Sequence, residues 1–97
     1  MDKLVHEMVS EMVNGEIYQF MPLGEHVVRA PGVCGGRPTF KYTRIEVAGV
    51  LDRLAAGESL DEIVAGYRGR VSREAVMEAM QVVTHGYLHS LPTLEPA

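Results

Sequence analysis

The sequence has little that would support a disulfide framework, a metal cage or a membrane span. It contains one cysteine, Cys34, and no tryptophan, and aromatic residues make up 6% of its 97 residues. A single cysteine excludes an internal disulfide and any metal site built from cysteines alone, and it is typical of a reducing compartment. No apolar run approaches the roughly 18 residues of a membrane helix, and acidic residues within the first 14 positions argue against a signal peptide. We therefore expect a cytoplasmic protein that makes no membrane contact.

The composition indicates one small folded domain with an uneven charge distribution. Hydrophobic residues make up 46% of the chain and charged residues 23%, which is enough apolar material for a packed core. The net charge is −4, from 9 basic and 13 acidic residues. Residues 29–45, called the basic segment below, contain only basic charges, on Arg29, Arg37, Lys41 and Arg44. Acidic stretches flank this segment on both sides.

The first 15 residues predict an amphipathic helix. Six apolar residues recur at helical spacing and the stretch ends at Asn14-Gly15; the six are Leu4, Val5, Met8, Val9, Met12 and Val13. A helix of about 14 residues is marginal by itself in water, so its apolar stripe has to be buried against something. We expect this segment, residues 1–15, to form a homodimer or to contact another protein.

Residues 16–42 predict a small β appendage followed by a shaped loop. Two β-like runs at 17–21 and 26–29 flank the turn residues Pro-Leu-Gly-Glu, which is the pattern of a hairpin. Three glycines and two prolines within residues 30–38 indicate an irregular loop. The alternating residues 39–42 predict a third short strand.

Residues 43–90 predict three helices, and residues 91–97 a tail. Thr43-x-x-Glu46 and Ser59-x-x-Glu62 are capping boxes that start the first two helices, and Ser72 caps the third. A tight glycine-containing connection joins the last two, which is typical of a helix-turn-helix unit. The predicted fold is therefore mainly α: a three-helix bundle with an N-terminal helix and the β-hairpin appendage.

The last helix is the element of such a unit that can enter the DNA major groove. Arg68, Arg70 and Arg73 fall in the turn before it and in its first turn, where they would contact phosphates, while Gln81 and Thr84 are candidate base readers. Glu74 and Glu78 are predicted on the same outer face and would oppose a polyanion. A protein-interaction or dimerisation module without DNA binding therefore stays open as an alternative.

The basic segment offers a second set of candidate DNA contacts, namely Arg37, Lys41 and Arg44. Its glycines could form an anion-binding nest or could simply connect two strands. It is not a nucleotide P-loop, because Gly35-Gly36 precedes Arg37-Pro38 rather than Lys-Ser/Thr. Neither the anion-binding nest nor the connecting loop predicts a bound cofactor.

Catalytic and metal-binding patterns are weak. Cys34 has no recognisable histidine partner in the sequence, which favours a loop residue over a nucleophile. His85 and His89 lie four residues apart on a predicted helix, but no third ligand accompanies them. We therefore expect neither an enzyme nor a metal site.

Two ordered stretches resemble a known family. Residues 33–45, VCGGRPTFKYTRI, followed by residues 51–63, LDRLAAGESLDEI, resemble the DUF433 family of small bacterial and archaeal proteins. The resemblance implies a homeodomain-like helix-turn-helix, DNA-binding regulation and, as in some members, an antitoxin role beside a PIN-like ribonuclease toxin. Many antitoxins use a long flexible tail, whereas only about seven residues follow the last predicted helix here. If there is a toxin, we therefore expect residues 1–14 to be its contact. Tyr42 stands where the family usually has glycine, so we expect a negative φ there and a longer strand.

Overall fold

The computed structural model describes residues 7–94, in which four strands precede three helices. The elements are β1 (Val9–Val13), β2 (Glu16–Pro22), β3 (Val27–Arg29), β4 (Thr39–Phe40), α1 (Val47–Ala55), α2 (Leu60–Gly66) and α3 (Arg73–Ser90). The strands form one antiparallel sheet in the order β1-β2-β3-β4. The prediction of a mainly α fold is therefore wrong, because the chain combines an antiparallel sheet with three helices.

The predicted N-terminal helix is a strand over its described part. Asn14 and Gly15 have φ of 51° and 83°, and they connect β1 to β2 with Val13 paired to Glu16 and Val9 to Phe20. An Asn-Gly pair is the strongest short hairpin signal, because both residues accept positive φ. The prediction of a helix stop at this pair is therefore wrong, because β1 pairs with β2 along its whole length.

The pleat divides the predicted apolar stripe between the two faces of the sheet. Val9 and Val13 are half-buried, whereas Met8 is 46% and Met12 70% exposed. The remaining members of the stripe, Leu4 and Val5, lie outside the described residues. A helical stripe therefore does not exist over residues 9–13, and the dimer or toxin contact predicted from it loses its basis.

The predicted hairpin of residues 17–29 is present, although it forms the centre of the sheet rather than an appendage. Met21 pairs with Arg29, and Pro22 with Val28. The third strand ends at Phe40, and Tyr42 has a φ of 67°, so the predicted negative φ and longer strand are wrong. The Tyr42 N–H donates to Tyr18 Oη at 3.1 Å, and its own hydroxyl donates to Glu11 at 2.7 Å. These contacts fix a backbone conformation that glycine would adopt more readily.

Two of the three predicted helix caps are confirmed. The Ser59 hydroxyl accepts the Glu62 N–H at 3.1 Å while the Glu62 carboxylate accepts the Ser59 N–H at 2.8 Å, and Ser72 accepts the Ala75 N–H at 3.0 Å. The Thr43 cap is wrong, because α1 begins at Val47. The Thr43 hydroxyl instead accepts the Ile45 N–H at 3.0 Å and donates to the Phe40 carbonyl at 2.8 Å.

The capping box at Ser59 should have a measurable effect on stability. Ser59→Ala removes the acceptor of the Glu62 N–H, and we expect it to lower the free energy of unfolding by about 1 kcal/mol. Denaturant unfolding measures the change. Ser10→Ala is the control, because among residues 7–94 its hydroxyl makes only a long 3.4 Å contact with the Gln19 amide on the exposed hairpin. Equal midpoints for both variants would place the start of α2 elsewhere.

The core lies between the sheet and the three helices. Its buried members are Val27, Phe40, Val47, Val50, Ile63, Val71, Ala75, Val76 and Ala79. A smaller cluster of Phe20, Val28 and Ala30 covers the other face of the sheet, since consecutive strand residues point to opposite faces. The buried residues of α3 all belong to its first half, and the helix continues well beyond them. No helix in residues 7–94 is long and apolar enough to cross a membrane.

Candidate functional site

The connection between α2 and α3 presents two arginines to solvent. Arg68 and Gly69 end α2 in the left-handed region, with φ of 55° and 81°. The Arg68 N–H donates to Ala65 and the Arg70 N–H to Tyr67, while Val71 is 1% exposed and anchors the turn in the core. The backbone hydrogen bonds and the buried Val71 side chain thus fix the conformation of the turn, and the side chains of Arg68 and Arg70 remain exposed.

Ion pairs separate the basic side chains into two groups. Four are bonded to carboxylates, in the pairs Arg37–Glu46, Lys41–Glu11, Arg53–Glu58 and Arg73–Asp61. Within the described part of the chain, Arg68 and Arg70 form no ion pair. Of the three arginines predicted to contact phosphate, Arg73 alone forms an ion pair among the described residues, with Asp61 at 2.8 Å.

The basic segment cross-links its own loop. Arg37 donates to both oxygens of Glu46, at 2.8 and 3.0 Å, and these hydrogen bonds hold the pKa of Glu46 below its usual range. The Lys41 ammonium lies 4.7 Å from the centre of the Phe20 ring, and Arg29 donates to the Gly36 carbonyl at 2.6 Å. These contacts favour a structural role for most of the segment.

Arg44 and Cys34 complete the basic segment. The Arg44 side chain is exposed, and no residue among 7–94 forms an ion pair with it. The Cys34 thiol is half-buried and donates to the Arg44 carbonyl at 3.3 Å. This contact agrees with the interpretation of Cys34 as a loop residue.

The outward side of α3 contains both predicted base readers. Gln81 and Thr84 are exposed, as are Arg73, Glu74 and Met77. A shallow depression of about 480 Å³ runs along this side, lined by Leu60, Arg73, Glu74, Met77, Glu78 and Gln81. The structure thus brings Arg73 and Gln81 to one surface, with a carboxylate from Glu74 beside them.

Comparison with known proteins identifies the family. The family model described as "Protein of unknown function (DUF433)" matches residues 27–81, more than half of the chain. The chain belongs to the DUF433 family. The match runs from β3 to the first half of α3, so it includes the α2–α3 turn and stops short of the β1–β2 hairpin and the second half of α3. No curated protein and no solved structure matches this DUF433 chain significantly.

Sequence reasoning missed the contacts of the Glu78 carboxylate. The Glu78 carboxylate accepts the backbone N–H groups of Glu25, His26 and Val27, at 3.0, 2.7 and 3.0 Å. It thereby fastens α3 of this DUF433 protein to the turn between β2 and β3, and a Cβ at Gly24 would overlap it. The Glu78 carboxylate is thus engaged by this turn, although its side chain also lines the depression beside Glu74. No sequence signal marks a contact between residues more than 50 positions apart.

Two clusters of potential metal ligands are explained by the fold of this DUF433 protein. Glu25, His26 and Glu78 each place a ligand atom within 4.8 Å of the others, but the Glu78 oxygens already receive the backbone hydrogen bonds. His85 and His89 stack with ring centres 4.1 Å apart on exposed helix surface. Neither cluster carries a metal-site assignment.

Proposed function

We propose that this DUF433 protein is a non-enzymatic regulator that binds DNA through the α2–α3 turn and the outward side of α3. The observation that carries the proposal is the exposed pair Arg68 and Arg70, which have no carboxylate partner among the described residues and precede the longest helix. Uncompensated cations at the start of a recognition helix are the groups that contact phosphates.

The other candidate contacts contribute unequally. Arg73 would exchange its bond to Asp61 for a phosphate, so its net gain is smaller than that of Arg68 or Arg70. Gln81 and Thr84 follow on the exposed side of α3, where they would face base edges. Arg44 would add a contact from the basic segment, whereas Arg37 and Lys41 are held by Glu46 and Glu11.

Salt dependence of DNA binding tests this proposal. Arg68→Ala and Arg70→Ala should each weaken binding to all sequences and make the slope of log affinity against log salt shallower by about one. A fluorescence-anisotropy titration against the protein's own promoter region, at several salt concentrations, measures both effects. Arg37→Ala is the matched control, because this exposed arginine is bonded to Glu46 and should leave the slope nearly unchanged. Absence of binding at low salt and micromolar protein would rule out the DNA proposal.

The alternative function is a protein-interaction module without DNA binding. Two observations favour it, namely the ion pair that occupies Arg73 and the Glu74 carboxylate exposed on the same side of α3. A net charge of −4 also repels a polyanion at long range. Loss of the salt-dependent DNA signal would favour this alternative.

An antitoxin role remains a prediction that rests on the family resemblance. Its proposed contact, residues 1–14, was predicted as a helix, and the described part of that stretch is a strand. Co-expression with any PIN-like nuclease that is found encoded beside this gene tests the role. Neutralisation requires both a stable complex and loss of the nuclease activity.

A further inference from the structure

The second half of α3 has an apolar surface that the described domain does not cover. The buried residues of the helix are Ala75, Val76 and Ala79, and every residue from Val83 to Leu94 is exposed. The exposed side chains include Val83 at 41%, Tyr87 at 62% and Leu88 at 57%. Exposed large apolar side chains on consecutive turns of one helix are the kind of surface that marks an interaction site.

The same stretch has no formal charge. Residues 79–94 contain no Asp, Glu, Lys or Arg, although charged residues make up 23% of the whole chain. A helix that projects into solvent normally has charged residues on its outer faces. Depletion of charge together with exposed tyrosine and leucine is instead the composition of an interface core.

We propose that two copies of this chain associate through the second halves of their α3 helices, packed antiparallel. Met80, Val83 and Tyr87 lie at positions i, i+3 and i+7 and form one seam along the helix, here called the α3 seam. The two-fold axis passes beside Val83, so that Met80 of one copy meets Tyr87 of the other. Gly86, whose Cβ position is open, leaves room near the seam for the approaching helix.

A second copy fits this surface better than a different protein for two reasons. The first reason is charge. Two chains of net charge −4 repel one another, and an uncharged helix half is a surface on which they can meet without opposing carboxylates. An antiparallel arrangement also places the two acidic domains at opposite ends of the helix pair.

The second reason is shape. An open groove of about 1140 Å³ runs beside the second half of α3, with Leu23 and Pro38 on its opposite wall. In an antiparallel pair the helix end of each copy reaches the groove of the other. A specific dimer buries about 800 Å² per partner, so the groove has to contribute contact area in addition to the α3 seam.

The inference deepens the DNA-binding proposal, because a dimer supplies the two half-site contacts that one small unit lacks. Val83 and Tyr87 of the α3 seam lie beyond Gln81, where the family match ends, whereas Met80 lies within the match. Its test contains no DNA, so either proposal can fail without the other.

The first experiment compares one charge introduced in the α3 seam with the same charge introduced on the β1–β2 hairpin. Sedimentation equilibrium of the full chain at micromolar concentrations should give about twice the chain mass of 10.7 kDa. Val83→Glu should raise the dimer dissociation constant about 100-fold or more, because it buries a carboxylate in the seam. Ser10→Glu is the matched control, since it adds the same charge at an exposed position of β1, outside the groove and the α3 seam, and should leave the constant within about 3-fold. Circular dichroism should show both variants folded, because both positions are exposed in the single chain.

The second experiment tests the orientation by cross-linking in a Cys34→Ala background. Val83→Cys should form a disulfide with its own copy across the two-fold axis. Tyr87→Cys should not, because an antiparallel pair centred on Val83 separates its two copies by about 10 Å along the helix. A mixture of Met80→Cys and Tyr87→Cys chains should yield the mixed disulfide.

Three results would overturn the inference. A monomeric mass throughout the micromolar range excludes the dimer. A dimer that Val83→Glu leaves intact excludes the α3 seam as its contact. Efficient self-linking of Tyr87→Cys excludes the antiparallel arrangement.

Discussion

Glu78→Ala should lower the free energy of unfolding by about 2–4 kcal/mol, although it changes one acidic residue on a helix surface. The carboxylate accepts three backbone N–H groups of the β2–β3 turn, at 2.7 to 3.0 Å, and the variant removes this acceptor from all three. Hydrogen bonds to a charged acceptor contribute more than neutral ones, and leaving a desolvated donor unpaired adds a further penalty. Val27, one of the three donors, is 0% exposed.

Glu74→Ala is the matched control for this prediction, because Glu74 lies one helical turn earlier and is exposed. We expect it to cost at most about 1 kcal/mol, from its favourable position at the helix N-terminus. Denaturant unfolding measures both variants. Amide hydrogen exchange should accelerate at Glu25, His26 and Val27 in Glu78→Ala and remain unchanged in Glu74→Ala. Equal stabilities for the two variants would show that the Glu78 contact contributes nothing.

Phe40→Ala should lower the free energy of unfolding by about 3–5 kcal/mol. Phe40 is 2% exposed and belongs to the core cluster between the sheet and the helices, so its removal opens a cavity that joins both layers. Met12→Ala is the control, since its side chain is 70% exposed and should change stability by no more than about 0.5 kcal/mol.

The comparison also separates the observed fold from the predicted one. If residues 9–13 formed the apolar face of a buried helix, Met12→Ala would destabilise the protein as strongly as a core substitution. Thermal and denaturant unfolding of both variants decide between these structures. A large loss for Met12→Ala would contradict the exposed position that β1 gives it.

Local signals in the sequence determined several parts of this protein. Ser59 with Glu62, and Ser72, fix the starts of α2 and α3 because the bonding partners lie three residues away. The turn residues that follow Pro22 determined the β2–β3 hairpin, because the paired strands lie directly on either side of the turn. The ordered string of residues 33–63 was sufficient for the family, which the match over residues 27–81 confirms.

Tertiary structure decided what depends on distant partners. The apolar residues within 9–13 are compatible with the period of a helix and also with a strand. Backbone pairing with β2 selects the strand. Tyr42 takes a positive φ because Tyr18 and Glu11 hold it from another hairpin. The sequence pattern predicts Glu78 as an exposed acid, but its carboxylate accepts hydrogen bonds from a turn more than 50 residues away. Arg73 similarly forms an ion pair with Asp61. Sequence patterns report the period and the neighbours of a residue, whereas the free energy of a long-range contact depends on which groups the folded chain brings together.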